Sequence, residues 1–409
     1  VVLERRLGVG DAVVVGLGAM IGAGVFSAWG PAAAAAGAGL PLGLGLAAVV
    51  AYCNATSSAR LAARYPASGG TYVYGRERLG LFWGYLAGWG FVVGKTASCA
   101  AMALTVGLYA WPGHARAVAV AAVLAMTAVD YLGVQKAAWF TRAVVAAVLA
   151  LLLAVVLVCL TSGAADPARL TPVTDTTPGG VLRAAGLLFF AFAGYARVAT
   201  LGEEVRDPAR TIPRAVSTAL AITLAVYAAV ALALLIVLGP TRLAGATAPL
   251  AEAVRAAGAP GLVPLVNVGA ALAALGSLLA LILGVSRTTL AMARDHHLPP
   301  TLAAIHPRYA VPHRAALTIG LTVAALAATT DLRGIIGFSS FGVLTYYAIA
   351  NTAALTLPPT EGRPPLPVPV LGLVGCLALA FALPIASVAT GAGVLVVGAA
   401  LYGVRSRLT

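Results

Sequence analysis

Hydrophobic and polar positions in this chain do not alternate; they come in blocks. Apolar stretches of about the 20 residues that a helix needs to cross hydrocarbon fall near 11–33, 39–60, 81–110, 116–132, 143–162, 184–203, 215–238, 261–290, 314–330, 334–357, 366–383 and 385–403. The pattern predicts an all-α integral membrane protein of twelve spans. The ninth is short, and only Leu383 and Pro384 separate the last two, so ten or eleven spans also satisfy it. The connection 61–80, LAARYPASGGTYVYGRERLG, reads as a loop turning at Gly69-Gly70 into a helix at the membrane surface. After the tenth stretch comes PPTEGRPPLP, which cannot be helical throughout. It separates a ten-span core from a two-span appendage over 366–403.

Two blocks carry interruptions. The first contains GLGAMIGAGVF (16–26), with Gly16, Gly18, Gly22 and Gly24, each costing about 1 kcal/mol relative to alanine inside a helix. A helix-packing face of small residues would account for Gly18 and Gly22 alone. The sixth block, LLFFAFAGYARVATLGEEVRDPARTIPRAV (187–216), is interrupted around Phe192-Ala193-Gly194. These are the first helices of two five-span halves, 1–162 and 181–357. Interruptions at matching positions in two halves point to a transporter binding site, because broken backbone is tolerated in lipid only where it lines a cavity.

Composition agrees with the blocks. The chain is 61% hydrophobic and 10% charged, with mean hydropathy +0.96, more apolar surface than a water-soluble domain of this size could bury. The net charge of +13 would suggest nucleic acid in a soluble protein; here it follows the positive-inside rule. With the N-terminus inside, eighteen lysines and arginines fall on cytoplasmic segments. Six (Arg116, Arg169, Arg183, Arg242, Arg255 and Arg333) fall outside, and Lys95 and Arg197 lie within spans. Both termini are therefore expected in the cytoplasm, and the two halves are inverted relative to each other. No cleavable leader is expected from the stretch beginning near Ala12. Cys53, Cys99, Cys159 and Cys376 lie in apolar stretches without metal-ligand spacing.

The quoted motifs resemble those of the amino acid–polyamine–organocation superfamily of permeases over spans 1 to 10. GLGAMIGAGVF is similar to its first-span signature, and PASGGTYVYGRERLG to its first cytoplasmic loop. FFAFAGY with EEVRDPARTIPRAV is similar to its sixth span and following loop, and SRTTLAMARDHHLP (286–299) to the end of its eighth. The resemblance implies the 5+5 inverted-repeat bundle typified by the bacterial leucine transporter, with spans 1 and 6 broken. It implies that the amides of Ile21, Gly22, Ala23 and Gly24 face a substrate carboxylate, as a half-helix N-terminus suits an anion. Carbonyls near Phe192, Ala193 and Gly194 would accept from the substrate ammonium, and the Phe192 ring would close over it from outside. Ser98 on span 3 is a candidate for the side-chain pocket, and Ser277 is a hydroxyl that sodium could use.

Two positions depart from that family. Proton-coupled relatives carry a lysine in span 5 where Val148 aligns, and an acid in span 6 where Ala196 aligns. Lys95 and Arg197 are the candidates for the missing charge. A charge at mid-span costs about 2.5–3.5 kcal/mol even on the lenient insertion scale. A lysine removed from water can titrate near neutral pH and so carry a coupling proton. No acid is expected deep in any span to pair with them; snorkelling into the cytoplasmic vestibule serves Arg197 better than Lys95. Asp11, Glu203, Glu204 and Arg294, with Arg206, Asp207, Arg210 and Asp295, are expected to exchange ion pairs as a cytoplasmic gate. His296-His297 reads as a solvated pair.

Catalytic triads, HExxH, Walker loops and paired intramembrane carboxylates are absent from the sequence, so an enzyme is not expected, nor a cofactor or metal. The expectation is a secondary-active, proton-linked plasma-membrane transporter of zwitterionic amino acids, monomeric or weakly oligomeric in the bilayer. Substrate exchange, or a passive channel or sensor of the same fold, are the alternatives.

Overall fold

The computed structural model describes residues 7–65, 69–133, 138–171, 176–199 and 205–405. Over these residues the chain is helical, apart from turns and an isolated bridge between Leu7 and Val205. The first apolar block gives α1 (Val9–Met20), α2 (Gly24–Ser27) and α3 (Trp29–Ala36), followed by α4 (Leu40–Arg64). The 61–80 connection holds α5 (Thr71–Leu79), buried over its first five residues and packed on the helices Leu81–Ala110 and Leu332–Leu355, after the expected turn at Gly69-Gly70. Then come α6 (Leu81–Ala110), α7 (Ala115–Tyr131) and α8 (Ala138–Thr161). The sixth block gives α9 (Pro178–Phe192), a 3-10 turn over Ala193–Tyr195, and α10 (Ala196–Ala199). The rest are α11 (Pro208–Gly245), α12 (Pro249–Ala256), α13 (Val263–Arg294), α14 (His313–Thr329), α15 (Leu332–Leu355), α16 (Pro367–Ala382) and α17 (Ile385–Arg405).

Among the described residues, ten helical stretches are long and apolar enough to cross a membrane. Two shorter apolar helices, His313–Thr329 and Pro367–Ala382, fall at the ninth and eleventh expected spans. The division is energetic: leucines such as Leu42, Leu153, Leu321 and Leu371 are exposed on outward faces, where lipid rather than water is their natural solvent.

The long α6 forms the centre, packed on α13 and α15. It crosses α15 through glycines: a methyl on Gly94 would stand 3.2 Å from the Val343 nitrogen, and one on Gly342 would stand 3.0 Å from Gly94 Cα. Small residues let the two backbones touch, as membrane helices require when no hydrophobic effect drives them together. On the other side α1 and α4 pack on α11. Of the broken helices, α1 packs on α11 and α8, and α9 on α3, α4, α15 and α16.

Candidate functional site

Valine- and glycine-rich sequence carries α1 as far as Met20, where the helix ends. Ile21 turns away at ψ 55°, and the chain re-enters helix at Gly24. Among the described residues the N–H groups of Gly22, Ala23 and Gly24 have no backbone or side-chain acceptor, although all three residues are buried. An unpartnered buried group costs about 1–3 kcal/mol. In the sixth block, α9 ends at Phe192 and the backbone tightens into the 3-10 turn.

The two interruptions touch. A methyl on Gly24 would lie 2.6 Å from Ala191 Cα, and one on Gly194 would lie 2.4 Å from the Ala19 carbonyl. A methyl on Gly22 would meet Ser277 Oγ at 2.0 Å. These glycines are therefore required for close approach.

The carbonyls freed at the breaks are met by side chains from three neighbouring helices. Ser277 Oγ on α13 donates to the Gly18 carbonyl at 3.1 Å. The Tyr227 hydroxyl on α11 lies 2.5 Å from the Met20 carbonyl and 3.0 Å from that of Ala191, sharing its one proton between the two breaks. Lys95 Nζ donates to the Ala193 carbonyl at 3.0 Å. Lys95 is 5% exposed; it reaches inward to broken backbone.

A cavity of about 160 Å³ begins at this junction. Phe91, Lys95, Ser98 and Met102 line it from α6, at the spacing of a single helix face. On α13 its wall runs from Ser277 to Ala291, about 21 Å at 1.5 Å per residue. It reaches Arg287 and Gly69, at the arginine-rich end of the bundle. The opposite end is filled by rings. Phe192 and Trp29 pack on Tyr227 with centroids 5.1 and 5.9 Å apart, and Phe26 packs on Tyr109 at 5.7 Å. All five are fully buried.

Of the site residues read from sequence, Lys95, Ser98, Ala193, Gly194 and Arg197 line this cavity. Ile21, Gly22, Ala23, Gly24 and Phe192 are buried at its closed end and do not line it. Ser98 Oγ lies 2.6 Å from Ser339 Oγ. Glu203 and Glu204 lie outside the described residues. Asp11 pairs with Arg142 and accepts from the Gly8 amide at 3.1 Å. Arg294 is exposed without an ion pair among the described residues. Asp207 pairs locally with Arg210 at 3.7 Å, and Asp295 pairs with Arg76 of α5 at 2.9 Å.

Asp130 is 3% exposed, beside Ser286 Oγ at 3.4 Å and in electrostatic contact with Arg287, but it stands at the end of α7 and not deep in the span. One expectation needs correction: His297, by contrast with the expected solvated pair, is half-buried. Its Nδ1 lies 2.8 Å from the Tyr72 hydroxyl, which donates to Asp295 at 2.5 Å, and its ring packs on Tyr85 and Tyr402. Sequence reasoning missed Tyr227, because a tyrosine in an apolar helix carries no positional signal. Phe91 and Met102 were findable from their helical spacing to Lys95.

An all-helical membrane protein whose two interrupted helices meet at a largely apolar cavity that also holds Lys95, Ser98, Arg197 and Ser277 has the features of a membrane transporter. Residues 11–358 match the amino acid permease model, and the chain belongs to that family, which is one of transporters and not of enzymes. It is 72% identical over 407 residues to an uncharacterized transporter of Mycobacterium tuberculosis, covering 100% of this chain and 92% of the relative. It is 26% identical to the branched-chain amino acid permease BcaP of Bacillus subtilis, over 99% of this chain and 94% of that one. To the methylthioribose transporter of the same organism it is 27% identical, over 87% and 81%.

Proposed function

We propose that this protein is a secondary-active amino-acid transporter that works by alternating access and is driven by protons, with its substrate site where the two helix breaks meet. The reading takes α1–α8 and α9–α15 as two inverted halves, 1–162 and 181–357. The appendage is 366–403, giving twelve spans in the plasma membrane with both termini cytoplasmic. The substrate carboxylate is received by the amides of Gly22, Ala23 and Gly24, since that of Ile21 donates to the Leu17 carbonyl at 2.7 Å; Ser98 faces the side chain, and Phe192 belongs to the outer closure. The cavity's reach to the arginine-rich end supports a cytoplasm-facing state.

The observation that carries the proposal is the hydrogen bond from Lys95 to the Ala193 carbonyl. An ammonium there joins α6 to the break of the sixth block, and its loss of a proton removes both charge and one donor from that joint. Such a group couples protonation to the geometry of a helix break. Arg197, on the same cavity, supplies a fixed charge.

The test is uptake of labelled amino acids into proteoliposomes with an inward proton gradient. Accumulation above equilibrium that collapses with a protonophore is expected, and Lys95→Met should abolish it. Uptake that only equilibrates would reduce the protein to a passive pathway, and a requirement for internal substrate would make it an exchanger.

A further inference from the structure

The broken backbone is asymmetric in what it leaves open. Its carbonyl acceptors at Gly18, Met20, Ala191 and Ala193 are already occupied by Ser277, Tyr227 and Lys95. Its amide donors at Gly22, Ala23 and Gly24 are not matched by any acceptor among the described residues. The ionisable side chains that line the cavity have the same sign: Lys95, Arg197 and Arg287, with no carboxylate among the described lining residues. Asp130 stands beside Arg287 and offsets it. Lys95 has no such neighbour among the described residues; the ionisable group next to it is the Cys99 thiol, one turn along α6. A buried ammonium bonded to a neutral carbonyl keeps its charge uncompensated, which is the costly arrangement for an ion out of water.

We propose, resting on the transporter reading above, that the substrate is an amino acid of net negative charge whose second carboxylate pairs with Lys95. Every amino acid brings an α-ammonium to a site whose Ala193 acceptor is taken, so what separates a neutral one is that it leaves the Lys95 charge without a counter-ion. A cationic one adds a like charge beside Lys95 and Arg287. An acidic amino acid supplies the missing counter-charge. Phe91, Met102 and Leu281 give apolar contact for the intervening methylenes. In this arrangement the proton carried by Lys95 is also what makes the site receptive to its cargo.

The probes are labelled L-glutamate, L-leucine and L-arginine, at equal concentration, taken up by proteoliposomes at pH 7. Glutamate should enter at least tenfold faster than leucine, with arginine at background. In Lys95→Met the glutamate-to-leucine ratio should fall at least tenfold, and a ratio is insensitive to the fraction of protein that folds. Leucine or arginine moving faster than glutamate would overturn the charge assignment and leave the transporter reading standing. An unchanged ratio in Lys95→Met would overturn the pairing with Lys95, and no transport of any of the three would overturn both readings.

Discussion

The two ends of the cavity are closed by different physics. At the far end five fully buried aromatic rings and the Tyr227 hydroxyl hold the breaks together. At the arginine-rich end the contacts are ion pairs and a half-buried histidine. Arg76 meets Asp295, and Arg64 and Arg78 converge on Glu361 of the proline-rich joint at 3.1 and 3.2 Å. Buried aromatic pairs are worth about 0.5–1.5 kcal/mol beyond the area they cover, whereas exposed ion pairs contribute about 0–1 kcal/mol each. The arginine-rich end is thus held by small, exchangeable terms, and the opposite end is packed.

If that contrast is right, the largest damage comes from disturbing the packed junction. Gly194→Val would drive its side chain into the Ala19 carbonyl, where even a methyl stands at 2.4 Å. Overpacking of this kind costs about 1–3 kcal/mol or more, so uptake should vanish and the melting temperature in detergent should fall. Tyr227→Phe keeps the ring and removes the shared hydroxyl. Two break carbonyls then lose their donor, for about 1–3 kcal/mol, readable as a lower melting temperature with the aromatic contacts intact. A variant as stable as the parent would show that the hydroxyl does not hold the breaks together.

Smaller effects belong to the arginine-rich end. Burial lowers the His297 pKa from 6.5, with Asp295 opposing the shift and Arg76 and Arg405 adding to it; Tyr72, Tyr85 and Tyr402 are its uncharged neighbours. On acidification the unfolded chain takes up that proton first. Stability is therefore retained above about pH 6.5 and declines as pH falls below it. His297→Gln should flatten that part of the curve, measured as thermal unfolding against pH. Arg76→Gln should change stability least, by no more than about 1 kcal/mol, while increasing tryptic cleavage in the 61–80 connection; a loss comparable to that of Tyr227→Phe would erase the difference between the ends.

Much of the fold was legible because lipid imposes block hydrophobicity, and the breaks were legible because glycines and polar residues interrupt two of those blocks. The helices end at Met20 and Phe192, beside the glycines that marked them. What the sequence could not convey is which groups meet across the interior. Lys95 stood out as a charge in an apolar helix, yet its acceptor lies 98 residues away at Ala193. Tyr227 and Ser277 bind break carbonyls by tertiary contact alone. The gate read from the segment after the sixth block fared differently: Asp295 pairs with Arg76 of the 61–80 connection, because α5 folds against the end of α13, a proximity that sequence order hides.

The most direct test of the central claim, that the cavity at the two breaks holds the substrate, is alkylation of Ala280→Cys, a position on its α13 wall. The four native cysteines are buried, so a charged, membrane-impermeant thiol reagent should report the introduced one. Labelling from the arginine-rich side that the transported amino acid slows at least severalfold is the predicted result. Labelling that no transported amino acid affects, or that proceeds only from the opposite side, would contradict it.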